Sequence, residues 1–90
     1  RAVDDFKLEN HPNPFNGNTT VTFEIPIESF VSVKVFNPLG VEIAELAGKE
    51  YSVGRHTVDF DAKGLSDGMY FCTMKTNNCT MSKKMIIKVD

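Results

Sequence analysis

Gly64-Leu65-Ser66-Asp67-Gly68-Met69-Tyr70-Phe71-Cys72-Thr73-Met74-Lys75 runs, after a turn at Asn77-Asn78, into Met81-Ser82-Lys83-Lys84-Met85-Ile86-Ile87-Lys88-Val89-Asp90. A glycine-punctuated loop opens into an apolar, β-rich run, an Asn-Asn pair reverses it, and a second strand with a lysine doublet runs to the last residue. This reads as a hairpin whose second strand closes the core and is tied down at the C-terminus. With Asn77-Asn78 as a two-residue turn, Thr76 faces Cys79 and Cys72 faces Lys83. The cysteines then stand about four strand positions, ~13 Å, apart. A disulfide requires Cα atoms within about 7 Å. Two free, mostly buried thiols are therefore expected, and the redox compartment stays open.

Working back from the hairpin, Arg55-His56-Thr57-Val58-Asp59-Phe60-Asp61 alternates, with His56, Val58 and Phe60 on one side. Before it, Gly48-Lys49-Glu50-Tyr51-Ser52-Val53-Gly54 reads as a connection and Val41-Glu42-Ile43-Ala44-Glu45-Leu46 as a return strand, a helical turn being the other option for so short a run. Asn37-Pro38-Leu39-Gly40 has the residue order of a type I turn, because Pro presets φ and Asn bonds its own backbone. It closes a hairpin after Phe30-Val31-Ser32-Val33-Lys34-Val35-Phe36, with Val31, Val33 and Val35 inward. Thr19-Thr20-Val21-Thr22-Phe23-Glu24-Ile25 places Val21, Phe23 and Ile25 on one face and the threonines and Glu24 on the solvent side, stopping at Pro26.

The first 18 residues form an opening strand over 3–8, with Val3, Phe6 and Leu8, and then a proline-rich strap from Glu9 to Asn18. Pro12 and Pro14 remove two amide donors, so the strap is expected to cross unpaired with Phe15 as its only large apolar anchor. About seven short strands separated by turn signals, without sustained helical periodicity, predict an all-β, immunoglobulin-like antiparallel two-sheet β-sandwich of fibronectin-type build. The Cys…Trp…Cys hallmark of antibody domains is absent, since the chain has no Trp.

Residues 1–90 are expected to form one domain, and at 90 residues folding removes only ~60–65% of the accessible surface. That suits one core and leaves little for a deep catalytic cleft. The net charge of −2 and the scattered lysines show no nucleic-acid footprint. No apolar run approaches the ~20 residues a bilayer-spanning helix needs. The opening Arg1-Ala2-Val3-Asp4-Asp5 is neither an initiator methionine nor a signal peptide, so the chain is expected to be the mature or excised end of something longer.

Catalysis is not expected. Cys72 and His56 fall on inward faces with no orienting acid or exposed pocket indicated. His11 beside prolines reads as a backbone-bonded histidine rather than a metal ligand. Asp59, Asp61 and Asp67 are oxygen donors of the kind calcium takes, but no D-x-D-x-D-G spacing joins them, and no metal or cofactor is expected. Asn18-Thr19-Thr20 and Asn78-Cys79-Thr80 satisfy a glycosylation sequon that is common by chance. Lys75, Lys83, Lys84 and Lys88 admit two readings of equal weight, charges that blunt an edge strand against aggregation and a basic docking surface.

Taken together, Asn13-Pro14-Phe15-Asn16…Thr19-Thr20-Val21, Val31-Ser32-Val33-Lys34-Val35-Phe36-Asn37-Pro38-Leu39-Gly40-Val41-Glu42-Ile43, the block from Gly54 to Leu65, Gly68-Met69-Tyr70 and Lys83-Lys84-Met85 resemble the C-terminal sorting domain of type IX secretion cargo proteins in Bacteroidetes. The likeness runs from about His11 to Val89. The immunoglobulin-like domain of the flagellar hook-capping protein shares parts of the pattern, which bears on fold more than function.

The resemblance implies a folded secretion address. A fused cargo crosses the outer membrane, recognised by the translocon and shuttle proteins of type IX secretion. A surface sortase-like peptidase then releases it from the module and attaches it to lipopolysaccharide at the cell surface. It also implies that Gly68, Tyr70, Lys83, Lys84 and Lys88 lie at the family's signal elements, and that Asn13, Pro14 and Phe15 match its opening motif. Pro38, Val41, Cys72 and Cys79 depart from the family pattern. A C-terminal strand with one free edge, expected over Lys83 to Val89, suits recognition by strand addition. The competing class is a passive or carbohydrate-binding sandwich of a secreted surface enzyme, for which Phe36, Phe71 and Tyr51 are the aromatic candidates.

Overall fold

In the computed structural model, which describes residues 5–89, seven strands form two antiparallel sheets, with no helix among the described residues. The strands are β1 (Lys7–His11), β2 (Asn18–Ile25), β3 (Ser29–Phe36), β4 (Glu42–Tyr51), β5 (Gly54–Asp61), β6 (Gly68–Lys75) and β7 (Thr80–Ile87). One sheet has the order β1-β2-β5 and the other β4-β3-β6-β7. The thinnest dimension, 17 Å, leaves room for two sheets ~10 Å apart and no third layer. This is the predicted immunoglobulin-like sandwich.

The core follows from alternation. Val31, Val33 and Val35 of β3, Cys72 and Met74 of β6 and Met85 of β7 face Val21, Phe23 and Ile25 of β2, all of them fully enclosed. The β3–β4 turn is held as its residues foretell. Asn37 Oδ1 accepts from Leu39 N–H at 2.9 Å and Val41 N–H at 3.0 Å, and Gly40 N–H donates to Asn37 O at 2.9 Å. Gly40 sits at φ 84°, where a side chain would be strained. At the other hairpin Thr76 N–H donates to Cys79 O at 2.8 Å, and Cys72 stands opposite Lys83 in the expected register. Both cysteines are free, Cys72 buried and Cys79 half-buried.

The structure departs from the sequence reading in four places. The first strand starts at Lys7, and Val3 lies outside the described residues. Glu9, Asn10 and His11, expected to be unpaired, join the ladder opposite Thr22, Val21 and Thr20, because the proline constraint begins only at Pro12. The supposed connection from Gly48 is strand up to Tyr51. Two register shifts against β3 leave Leu46 and Ile43 without opposite residues, and these bulges scramble the alternation that would have marked a long strand. Thr22 and Glu24, expected on the solvent side, are only 9% and 8% exposed. β2 is the middle strand of its sheet, so Thr22 stands between Glu9 and Thr57, and Glu24 between Lys7 and Arg55.

The fourth departure concerns the strap. Phe15 is buried as expected, its ring edge-on to Phe60 at 6.2 Å. The strap does not cross unpaired. Phe15 N–H donates to Ile86 O at 3.0 Å and Lys88 N–H to Phe15 O at 2.9 Å, a parallel bridge between Phe15 and Ile87. The outer edge of β7, expected to be open from Lys83 to Val89, is therefore occupied along its final turn toward the C-terminus.

Candidate functional site

Strap, loop 62–67 and the C-terminal half of β7 meet at one end of the sandwich. β5 ends at Asp61, the loop leads to Gly68, Gly68 pairs with Ile87, and Ile87 bridges to Phe15. Three parts of the chain that carry the sequence-predicted residues thus lie side by side.

Asn13 is the clamp. Its Nδ2 donates to Lys84 O at 3.0 Å, and its Oδ1 accepts from Ile86 N–H at 2.9 Å. The side-chain amide presents the donor and acceptor that a neighbouring strand's backbone would present. Pro14 separates this clamp from the Phe15 bridge. Thr19, itself buried, braces the strap from behind by donating its hydroxyl to Pro12 O at 2.8 Å and accepting from Asn10 Nδ2 at 3.2 Å.

Gly68 opens β6 at φ 144°, a conformation that side chains rarely adopt. Two residues on, Tyr70 is only 7% exposed, and its hydroxyl donates to Ser66 O at 2.8 Å. The ring fills the core while the oxygen holds the preceding loop, the arrangement of a tyrosine corner. In the folded domain Tyr70 therefore acts by positioning. Asp67 completes the tie by accepting from Val89 N–H at 3.1 Å. Sequence reasoning missed Thr19 and Asp67 as parts of this assembly. The only available signal was that short polar side chains next to Pro and Gly bond to nearby backbone.

The lysines do not form one patch. Strand alternation puts Lys84 and Lys88 on the outer face of the four-stranded sheet and Lys83 on the opposite side, in line with Met85 and Ile87. All three are exposed. Lys83 borders a shallow groove of about 230 Å³ between β7 and β1, whose apolar floor is Phe6, Leu8 and Met81 and whose rim includes Lys7 and Glu9. Lys75 is on the outer face opposite Thr80.

The remaining candidates are dispersed. Asp59 accepts from Thr20 Oγ1 at 3.2 Å, Asp61 from Lys63 N–H at 2.9 Å, and Asp67 from Val89, so their carboxylates do not converge. Among the described residues no three His, Cys, Asp or Glu side chains are grouped to hold a metal. His56 lies against Phe23 and Tyr51 and donates Nε2–H to Ser52 O at 2.7 Å. Burial pushes the Cys72 thiol up to about 12, which leaves it protonated and unreactive near neutral pH. Phe36 and Phe71 are cross-strand neighbours on the outer face, whereas Tyr51 packs edge-on to Phe23 at 5.0 Å, so the three aromatics build no common platform.

Residues 10–88 match the family model for the secretion system C-terminal sorting domain. No curated protein and no solved structure matches the chain.

Proposed function

The chain belongs to the secretion system C-terminal sorting domain family, a family of non-catalytic type IX secretion signals, and from that premise we propose that its folded sandwich is the address of a larger exported protein. The cargo precedes the domain in the same polypeptide. It crosses the periplasm and the outer membrane through the type IX translocon with its shuttle proteins, and a sortase-like peptidase then removes the domain as the cargo is anchored at the cell surface. The domain itself does no chemistry. Gly68, Tyr70, Lys83, Lys84 and Lys88, with Asn13, Pro14 and Phe15, carry the address. Tyr70, Gly68, Asn13 and Phe15 set the shape of the β7 end, and the exposed lysines supply its charge.

The observation that carries this reading is the family match across residues 10–88. The protected, well-braced end around β7 supports it, because a shape can serve as a label only if it is rigid. A periplasmic fluorescent reporter fused ahead of residues 1–90 tests it in a Bacteroidetes host with type IX secretion. The reporter is expected at the cell surface and in the medium, with a mass that lacks the domain. Retention in the periplasm contradicts the address, while export of the intact fusion contradicts only the cleavage step.

A further inference from the structure

Resting on the sorting reading above, we propose that the uncovered part of the β7 edge, residues 80–84, is a docking rail for an extended acidic segment of a partner protein, with Asn13 as the stop that fixes its register. The two-residue period of a strand turns the N–H and C=O groups of Thr80, Ser82 and Lys84 the same way as those of Ile86. Ile86 N–H, Ile86 O, Lys88 N–H and Lys84 O are taken by the strap. Among the described residues, no backbone partner meets the outward groups of Thr80 and Ser82 or the N–H of Lys84. A run of unpaired backbone donors and acceptors is what an added strand pairs with.

An open edge alone has poor register, since a strand can slide along it in steps of two residues. Here the rail ends abruptly where Asn13 bonds Lys84 O, so an incoming strand abuts the strap. The split lysine doublet gives the partner its chemistry. A strand laid on β7 carries side chains alternately to the outer face, beside Lys84, and to the inner side, beside Lys83 and the apolar groove floored by Phe6, Leu8 and Met81. Acidic residues on the outer face and an apolar residue on the inner side fit these neighbours, with Glu9 the one acidic residue among those lining the groove. The two lysines bracket the rail from both sides, which a lysine pair on one face does not do.

The test uses residues 1–90 fused behind the reporter. Ser82→Pro removes an outward N–H and leaves the backbone ladder to β6 intact, because Ser82 and Thr73 oppose each other as a non-hydrogen-bonded pair. It also removes the 2.8 Å bond between Ser82 Oγ and Thr73 Oγ1, which Ser82→Ala removes alone. The purified proline variant is expected to melt close to Ser82→Ala, while export falls to the level of the reporter without the domain for the proline and stays at the wild-type level for the alanine. Lys83→Glu with Lys84→Glu is expected to lower export as well, with rescue by Arg at both positions. If Ser82→Pro lowers the melting temperature below that of growth, Thr80→Pro at the first strand position replaces it. Wild-type export together with undiminished export of a folded proline variant overturns the rail and leaves the sorting reading intact. Failure of the wild-type fusion to be exported overturns the sorting reading itself. Export that falls with the proline but not with the charge reversal overturns the acidic partner.

Discussion

The side-chain amide of Asn13 pairs with the backbone around Ile86 as a strand would, its Oδ1 2.9 Å from Ile86 N and its Nδ2 3.0 Å from Lys84 O. Two segments separated by most of the chain are thereby joined through one side chain. Pro12 and Pro14 have no N–H to donate, and the donor that meets Lys84 O comes from the Asn13 side chain.

Asn13→Ala is therefore expected to destabilise the domain by ~1–2 kcal/mol, the net worth of its hydrogen bonds when the freed groups are open to water. Asn13→Asp keeps the acceptor for Ile86 but turns an oxygen toward Lys84 O, and is expected to be at least as damaging. Urea denaturation of both variants checks this, and amide exchange at Ile86 is expected to speed up in each.

Tyr70 separates ring from hydroxyl. Tyr70→Phe removes only the hydroxyl's bonds to Ser66, to O at 2.8 Å and to Oγ at 3.3 Å, and is expected to cost ~1 kcal/mol. Tyr70→Ala also empties the core and is expected to cost ~3–5 kcal/mol. For a domain of this size each kcal/mol lowers the melting temperature by ~4–8 °C, so calorimetry separates the two variants.

Cys72 gives a pH signature. Its folded value of about 12 lies above the ordinary 9.0, so at alkaline pH the unfolded chain loses its proton first. The contribution to stability is complete below 9.0 and is lost as pH rises toward about 12. Denaturation curves are expected to show a steeper alkaline decline for the wild type than for Cys72→Ala. Under native conditions a thiol reagent is expected to modify Cys79 and spare Cys72.

Gly68→Ala tests the backbone at the start of β6. At φ 144° the added Cβ meets no neighbouring atom within 4 Å, so any penalty comes from backbone conformation and not from a clash. A loss of ~1–3 kcal/mol is expected, measured by thermal unfolding.

How much of this was legible in the sequence depended on how local the determining interaction is. β3, the Asn37 turn and the β6–β7 register were readable because alternation and turn chemistry act over a few residues, and Cys72 opposite Lys83 followed from counting. β4 was truncated in the reading because Ile43 and Leu46 are bulged, and a bulge removes the periodicity that reveals a strand. The burial of Glu24 could not be read from β2 alone, since it arises from strands on both sides. At the site, the residue types at 13–15, 68–70 and 83–88 drew attention. That Lys83 and Lys84 part to opposite faces of β7 follows from strand alternation, whereas that Asn13 closes the edge of β7 depends on which edge the strap crosses, and no neighbouring residue encodes that choice.

The most direct test of the account is the fraction of a reporter fused ahead of residues 1–90 that leaves the cell, measured in a type IX-competent host and in the same host with the translocon inactivated. Accumulation outside the first and in the periplasm of the second is the expected result. Equal distribution in the two hosts contradicts it.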